Sequence, residues 1–345
     1  MGIDLIIFSR DREKALLSTM QRMSNSTLRV LVFHNSQSKL RDELIPSNCT
    51  YIHSPGMKYG ERASIARSYI ASNFCVISSD DDGIINSALL EMENWLICNP
   101  VYCSVGGISI GAFPYGGRIS ASVAYNEMKE YSLDGDDLNE RLRNHLLFGS
   151  GNKPPRAGLY RLFRRDTMDK LLELFGELSD ISTPYVYEVS AEIVSAWAGP
   201  TKYIDQLYWI RNWHAEEISK RDWNRHISFY EWWNNQKYSS EKKKFLKVLV
   251  DKLSLDQDFV DELVSEYVIR WQDFFQSARK SRSKAYPKNA RSIWQKIKMK
   301  LFPYRSPKKI ENLLSEEFDF LTSLEQQEIC KVAQSMFLET RIDNF

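Results

Sequence analysis

The stretch Phe74-Cys75-Val76-Ile77-Ser78-Ser79-Asp80-Asp81-Asp82-Gly83 joins an apolar run to three consecutive carboxylates. The apolar part predicts a buried strand that ends near Ser78. Adjacent like charges repel each other and Asp is seldom buried without a partner, so this arrangement is costly unless a cation neutralises it. Ligands of open α/β sheets bind at the carboxyl ends of the strands. The stretch therefore predicts an α/β fold with a charged binding site at that edge.

A divalent metal ion is the cation that this pattern favours. Hard oxygen ligands select Mg²⁺ or Mn²⁺, and such ions are usually bound through one or two carboxylates together with substrate phosphates. We therefore expect Asp80 and Asp82 to hold a metal ion beside a phosphate group. The alternative is a solvated turn in which Asp82 caps a helix that begins near Ile84.

The rest of the chain alternates strands and helices and then becomes helical. Hydrophobic periodicity predicts strands over residues 3–8, 28–34, 50–53, 74–78 and 101–105, and helices over 11–23, 61–71 and 84–97. Residues 106–155 are rich in Gly, Ser, Tyr and Pro, which predicts loops that shape the site, with one helical patch over residues 138–147. We predict a mainly parallel sheet flanked by helices over residues 1–235, followed by a helical region over residues 236–345.

The composition is that of a globular protein with one local charge asymmetry. Of 345 residues, 43% are hydrophobic and 12% aromatic, and the formal net charge is +1. Residues 279–309 contain twelve Lys and Arg and no Asp or Glu, so the rest of the chain is net acidic. The five cysteines form no CxxC pair, no apolar run is long enough for a membrane span, and Asp4 comes too early for a signal peptide. These features predict a cytoplasmic protein with reduced thiols.

A second block of charged and aromatic residues follows later in the chain. Residues 185–197 have helical spacing, with Glu188 and Glu192 four positions apart and hence on one face. The helix is expected to end at Ala198-Gly199-Pro200. An apolar and aromatic run then leads to Ile210-Arg211-Asn212-Trp213-His214. Such residues are usually structural when they occur singly, so they indicate a site only through their joint occurrence in this order.

Taken together, the triple-Asp stretch and the later block of charged and aromatic residues give a resemblance to a known family. The chain resembles the GT-A superfamily of nucleotide-sugar glycosyltransferases, particularly glycosyltransferase family 2 and related bacterial surface-polysaccharide enzymes. Three patterns in residues 1–215 carry the resemblance: Gly60 followed by Ala66-Arg67-Ser68, the DxD motif Asp80-Asp81-Asp82, and Tyr187-Glu188 followed by Gly199 and the element that ends at His214. The chain departs from the family in having Tyr187-Glu188 where Glu-Asp is usual. It also has no acidic residue after the second strand, which continues as Phe33-His34-Asn35-Ser36.

The resemblance implies a GT-A fold and a set of site residues. Asp80 and Asp82 would bind Mn²⁺ or Mg²⁺, and His214 would complete or border the metal and phosphate site. Glu188 would be the general base, with Glu192 as the alternative one turn later. The residues implied to contact the nucleotide sugar are Ser9, Arg10, Arg12, Gly60, Arg67, Asp80 and Asp81.

The activity implied by the resemblance is metal-dependent transfer of a sugar from a nucleotide-sugar donor to a glycan or lipid-linked glycan. The reaction would proceed with inversion and serve bacterial surface polysaccharide synthesis, such as that of capsule, O-antigen or lipopolysaccharide. The chemistry agrees with the residues, because a metal can neutralise the departing phosphate and a carboxylate can deprotonate the acceptor hydroxyl.

Two other classes of function stay open at the level of sequence. The run from Ser79 to Ile84 also resembles the first motif of haloacid-dehalogenase-type phosphatases, in which the first Asp is a nucleophile and the third an acid/base. That motif normally follows the first strand of its domain, whereas here it follows the fourth. The other class is a non-catalytic carbohydrate-binding protein, for which Tyr230, Trp232 and Trp233 are the support.

The basic run at residues 279–309 has two interpretations. Between Ala290 and Phe302, apolar residues that include Trp294 lie on one side and lysines on the other, which suits a peripheral contact with the anionic inner face of the cell membrane. Alternatively, the segment is a helix that covers the catalytic domain with a solvated basic face. No recognised nucleic-acid-binding module accompanies the charge, so we do not expect a nucleic-acid partner.

Overall fold

The computed structural model describes residues 2–115, 118–125, 131–149, 158–213, 227–285 and 308–337. Its first elements are β1 (Ile3–Arg10), α1 (Glu13–Met23), β2 (Arg29–Asn35), β3 (Cys49–His53), α2 (Tyr59–Ala66) and β4 (Phe74–Ser78). The four strands are parallel and lie in the order β3-β2-β1-β4, which confirms the prediction for this part of the chain. Because parallel strands end at the same edge, the loops that follow β1 and β4 meet there.

The first strand shows why these residues form the centre of the sheet. Leu5 and Ile7 enter one hydrophobic core and Ile6 enters the other, and all three are fully buried. Successive side chains of a strand point to opposite faces, so an unbroken apolar run fits a strand covered on both sides. Burial of each such side chain contributes about 1.5–3 kcal/mol.

The second part of the sheet is mixed rather than parallel. Its elements are β5 (Gly83–Ile84), α3 (Asn86–Cys98), β6 (Ser104–Tyr115), β7 (Arg118–Ala124), β8 (Ser132–Leu133), α4 (Leu138–Arg143), β9 (Leu162–Arg164), α5 (Arg165–Glu177), α6 (Tyr185–Ala198) and β10 (Thr201–Asn212). Strand β9 is antiparallel to both β4 and β6, whereas β10 is parallel to β6 and antiparallel to β5 and β8. The α/β class is confirmed, and the parallel pairing is concentrated in β1 to β4.

The prediction that residues 106–155 form loops is wrong for their first part. Strands β6 and β7 form an antiparallel hairpin there. The glycines that suggested loops leave room for aromatic rings: a Cβ on Gly106 would lie 2.6 Å from the ring of Tyr203, and one on Gly111 would overlap the ring of Trp213. Glycine within a strand often marks such a close approach, which composition alone does not distinguish from a loop.

The C-terminal region is helical, as predicted, except for one short strand. Its elements are α7 (Phe229–Asn234), α8 (Ser239–Leu253), α9 (Gln257–Ala285), β11 (Lys308–Lys309), α10 (Ile310–Glu317) and α11 (Ser323–Phe337). Strand β11 pairs with β7 at the edge of the sheet. Phe245 of α8 is buried in the core that contains Ile6, whereas Ile310 of α10 and Ala333 of α11 are buried in the core that contains Leu5. These helices therefore complete the two faces of the sheet.

The basic run is largely outside the described residues. These omit residues 286–307, and with them the whole predicted amphipathic stretch 290–302. Within the ranges that the structure describes, no helix is long and apolar enough to span a membrane.

Candidate active site

The three consecutive carboxylates lie in the loop between β4 and β5, at the carboxyl edge of the parallel strands. Asp80, Asp81 and Asp82 are buried, with exposed fractions of 3%, 5% and 2%. The following helix begins only at Asn86, and its N-cap residue is Ile85, not Asp82. The alternative of a solvated turn in which Asp82 caps a helix is therefore wrong.

Asp80 is held by two residues from the end of β1 and the loop after it. Ser9 Oγ donates a hydrogen bond to Asp80 Oδ2 at 2.7 Å, and Arg12 Nη1 lies 2.8 Å from Asp80 Oδ1. The second guanidinium nitrogen of Arg12 lies 2.7 Å from Asp81 Oδ2, so one cation bridges two carboxylates. Burial raises the pKa of Asp80 to about 6, although the charge of Arg12 opposes the shift. Ser9, Arg12, Asp80 and Asp81, which the resemblance assigns to one site, therefore lie in contact.

The loop that presents Arg12 has an unusual backbone. Asp11 has φ of +52°, in the left-handed region, which Asp tolerates better than most residues. Arg10 is exposed and forms an ion pair with Asp11 at 3.4 Å. The turn at Asp11 therefore separates an arginine that faces solvent from one that faces the acidic loop.

The Asp82 carboxylate accepts two hydrogen bonds from the end of β10. Trp209 Nε1 donates to Asp82 Oδ2 at 2.9 Å, and the backbone N–H of Asn212 donates to Asp82 Oδ1 at 2.9 Å. Trp209 is fully buried and stacks on Tyr160, with ring centroids 4.0 Å apart. The sequence analysis named the end of this strand but gave Trp209 and Asn212 no role, because only the fold brings β10 beside a loop that lies far earlier in the chain.

Gly60 and Arg67, from the first pattern of the resemblance, occupy opposite ends of α2. Gly60 is buried at its start, where a Cβ would overlap the carbonyl oxygen of Phe175 in α5. Arg67 is exposed just beyond the end of α2. Since α2 leads from the end of β3 toward the start of β4, Arg67 lies toward the amino edge of the sheet, away from the acidic loop.

Arg62 is the arginine of α2 that reaches the carboxyl edge, and sequence reasoning missed it. It is 4% exposed, and its Nη1 donates to the backbone oxygens of Ser9 at 2.6 Å and Phe33 at 2.8 Å. In the sequence, Arg62 lies between the small residues Gly60 and Ala63, which are buried in the structure. This spacing is the signal that could have identified Arg62 as an inward-facing charge. Arg62 therefore fixes the ends of β1 and β2, next to the residue that holds Asp80.

Glu188 and Glu192 have different surroundings despite their helical spacing. Glu188 is exposed in the first turn of α6, and its charge helps to raise the pKa of Tyr59, which burial chiefly raises. The ring of Tyr59 packs 4.8 Å from that of Phe8 in β1. Glu188 therefore lies near the part of the molecule where β1 ends.

Glu192 is buried in an ion-pair network. It accepts hydrogen bonds from the Gly158 backbone N–H at 2.8 Å, His145 Nε2 at 2.9 Å and Arg161 Nη2 at 3.4 Å. Burial alone would raise the pKa of Glu192, but the hydrogen bond from His145 and the charge of Arg161 hold it below its ordinary value. A carboxylate so engaged is a poor candidate for accepting a proton from a substrate.

One residue of the predicted metal site, His214, lies outside the described residues. Among the residues that are described, no group of three or more His, Cys, Asp and Glu side chains is arranged to hold a metal ion. The oxygens of Asp80 and Asp82 are nevertheless of the type that Mg²⁺ and Mn²⁺ prefer, and their side chains lie in one loop. The donor chemistry therefore fits such an ion.

Comparison with known proteins relates this chain to solved structures. No protein-family model matches it, and no curated protein sequence does. The crystal structure of S. aureus TarS is similar with a TM-score of 0.51 and 11% identity, over 98% of this chain and 54% of that one. TarS 1–349 in complex with UDP-GlcNAc is similar with a TM-score of 0.48 and 12% identity, over 100% of this chain and 93% of that one.

These similarities bear on the fold. This chain spans about half the length of the first TarS structure, at 54%. TarS is a GT-A-type glycosyltransferase, and its identity to this chain is low. The expectation of a GT-A-like architecture is confirmed: the chain has the fold of a GT-A-type glycosyltransferase.

Proposed function

We propose that the protein is a glycosyltransferase that moves a sugar from a nucleotide-sugar donor to an acceptor hydroxyl. The observation that carries the proposal is the set of three buried carboxylates at the carboxyl edge of a GT-A-like sheet, in contact with Ser9 and Arg12. A loop with only a structural role has no need of three adjacent buried carboxylates, because each costs desolvation energy. A donor phosphate that binds together with a cation would offset this cost, because the cation would neutralise the carboxylates.

Asp80 and Asp82 are the residues that we propose to hold Mn²⁺ or Mg²⁺, with His214 as a further ligand or neighbour. When bound, the ion would neutralise negative charge on the departing diphosphate. Arg12 bridges Asp80 and Asp81, so it holds these carboxylates in place and presents positive charge at the same edge. Ser9 and Arg10 precede Arg12 at the end of β1, and we propose them as further residues of the donor site.

Glu188 is the residue that we propose as general base. Of the two glutamates on α6, it alone is exposed, whereas Glu192 is engaged by three donors. In an inverting reaction the acceptor oxygen bonds to the anomeric carbon as the bond from that carbon to the phosphate oxygen breaks. The acceptor proton passes to the Glu188 carboxylate, and the nucleoside diphosphate leaves with the bonding electron pair.

The two alternative functions have less support. The phosphatase motif normally follows the first strand of its domain, whereas here Asp80 follows β4. In a carbohydrate-binding protein Trp232 would present its ring to solvent, whereas it is fully buried and donates its indole N–H to Glu241 at 2.8 Å. No observation favours either alternative over glycosyl transfer.

The finer aspects of the function extend the same proposal. We propose a glycan or lipid-linked glycan as acceptor, in bacterial surface polysaccharide synthesis on the cytoplasmic face of the membrane. UDP-GlcNAc, with which a TarS structure was solved, is the first donor to test.

The test compares Asp82→Asn with Glu188→Gln, since the first alters the proposed donor site and the second only the base. Asn at position 82 cannot accept hydrogen bonds from both Trp209 and the Asn212 backbone, because one of its side-chain atoms is a donor. We therefore expect Asp82→Asn to lose both donor binding and turnover. Glu188→Gln should bind donor normally and lower kcat by about 10²- to 10⁴-fold.

Calorimetric titration of donor with Mn²⁺, and product formation followed by NMR of the anomeric signal, give the two measurements. If Asp82→Asn binds donor and metal as the wild type does, the proposed site is incorrect. Unchanged turnover in Glu188→Gln would remove that residue from the role of base. A wild-type protein that binds no sugar nucleotide in a full donor panel would contradict the proposed function.

A further inference from the structure

We infer that Glu192 is a positioning residue, which joins the helix of the proposed base to the acidic loop through the segment Gly158–Tyr160 and Trp209. The inference rests on the proposed function, because it concerns the alignment of the same site. It also assigns a purpose to a buried network that the proposed reaction does not otherwise use.

The first contact in this path is between Glu192 and the backbone of Gly158. Glu192 is 5% exposed, and its Oε1 accepts a hydrogen bond from the Gly158 N–H at 2.8 Å. The two groups are so close that a Cβ on Gly158 would lie 2.7 Å from that same oxygen. His145 and Arg161, both fully buried, hold the other carboxylate oxygen. The carboxylate is thus fixed on one side and pressed against the chain at Gly158 on the other.

The second part of the path leads from that segment to the acidic loop. The ring of Tyr160 stacks on Trp209 with centroids 4.0 Å apart, and the backbone oxygen of Tyr160 accepts a hydrogen bond from the Tyr208 hydroxyl at 2.7 Å. Trp209 in turn donates its indole N–H to Asp82 Oδ2 at 2.9 Å. A shift of residues 158–160 therefore moves the ring that holds Asp82.

Glu188 lies one helical turn before Glu192, so the same helix carries the proposed base. A single carboxylate therefore ties the placement of Glu188 to that of Asp82. Misplacement of reacting groups by about 1 Å can lower a rate by about 10²-fold. We accordingly expect loss of the Glu192 contact to affect both donor binding and turnover.

The test uses Gly158→Ala and Glu192→Ala, alone and combined, in the full chain. Gly158→Ala forces a methyl group against the Glu192 carboxylate, and we expect it to lower kcat/KM for the donor by about 10- to 100-fold. Glu192→Ala should have an effect of similar size. In the double variant the methyl group meets no carboxylate, so the two losses should not multiply, as expected for residues in direct contact.

A spectroscopic measurement separates positioning from a loss of stability. In protein that contains 5-fluorotryptophan, the ¹⁹F resonance of Trp209 is assigned with Trp209→Phe. Glu192→Ala and Gly158→Ala should both shift this resonance. Leu249→Ala, in the buried core at α8, is the matched control: it should lower the melting temperature without moving the Trp209 resonance. Glu192→Gln keeps an oxygen for the Gly158 N–H. We therefore expect it to shift the Trp209 resonance less, and to lower the activity less, than Glu192→Ala does.

Multiplicative losses in kcat/KM would overturn the inference, as would a Trp209 resonance that stays unchanged in the Glu192 variants. If Glu192→Ala does not fold, Gly158→Ala decides: an unchanged Trp209 resonance or a wild-type kcat/KM in this variant would overturn the inference. Failure of the wild type to transfer any sugar would count against the proposed function, whereas the ¹⁹F resonance would still show whether Glu192 controls Trp209.

Discussion

The side chains of Asp80 and Asp82 have different hydrogen-bond donors, and this difference bears on what each substitution does. Asp80 faces the cation Arg12, whereas Asp82 accepts hydrogen bonds from two neutral N–H groups. Neutralising Asp80 leaves Arg12 with Asp81 as a partner. Replacing Asp82 by Asn instead brings an amide nitrogen toward an N–H group, and a buried donor without an acceptor costs about 1–3 kcal/mol. The two substitutions should therefore have different effects on stability.

We expect the pH dependence of stability to report the charge on Asp80. Burial raises the pKa of Asp80 from 3.8 to about 6 in the folded protein. Because the folded-state pKa is higher than the unfolded one, the group favours folding when it is protonated. That contribution is fully present below about pH 4 and is lost as the pH rises through about 6. A shift of about 2 pH units corresponds to about 3 kcal/mol.

Asp80→Asn has no carboxyl group to titrate at this position. In metal-free protein unfolded by urea, the wild type should therefore lose about 2–3 kcal/mol more stability than Asp80→Asn between about pH 4 and pH 8. Asp136→Asn, at an exposed position, is the control and should follow the wild-type curve. Parallel curves for the wild type and Asp80→Asn would show that burial does not raise the pKa of Asp80.

At the scale of secondary structure, the close approach of α2 to α5 positions Arg62 at the carboxyl edge. Gly60 makes this approach possible, since a Cβ there would overlap the carbonyl oxygen of Phe175. We expect Gly60→Ala to lower the free energy of unfolding by about 1–3 kcal/mol, because backbone atoms cannot move aside cheaply. Urea unfolding measures the change. Gly135→Ala is the matched control, because its Cβ would meet only the Arg141 side chain at 3.6 Å; equal stabilities of the two variants would contradict the packing argument.

The elements also show what the sequence could predict. Strand β4 and the acidic loop were predictable because an apolar run and adjacent charges are local features. The contacts of Asp82 were not, because they require β10 to pass beside a loop far earlier in the chain. Helical spacing placed Glu188 and Glu192 on one face, yet only the residues packed around them decide that one is exposed and the other buried. Spacing determines which way a side chain points and leaves open what covers it.

At the scale of the whole molecule, the C-terminal helices return to the back of the acidic loop. A Cβ on Gly83, which follows Asp82, would lie 2.6 Å from Met336 Sδ and 2.8 Å from Val332 Cγ1 of α11. Glu328 of α11 accepts a hydrogen bond from Ser87 Oγ at 2.5 Å. Truncation after residue 278 would remove this support together with the basic run, so it cannot test membrane binding by itself. Substitution within the run leaves α11 in place.

The last prediction concerns the basic run, whose sequence indicates contact with an anionic membrane. Replacing Lys296, Lys298 and Lys300 by Gln should weaken association with vesicles of phosphatidylserine and phosphatidylcholine by about 100-fold, since each lysine near the surface contributes about 1 kcal/mol. Cosedimentation of the wild type should fall steeply with salt, because charges are screened over about 8 Å at physiological ionic strength.

The control replaces three exposed lysines elsewhere, Lys237, Lys243 and Lys247, and changes the net charge equally. If both triple variants lose vesicle binding to the same extent, only the overall charge of the protein matters. If neither loses it, the basic run is not a membrane contact, and a solvated helix that covers the catalytic domain becomes the better interpretation.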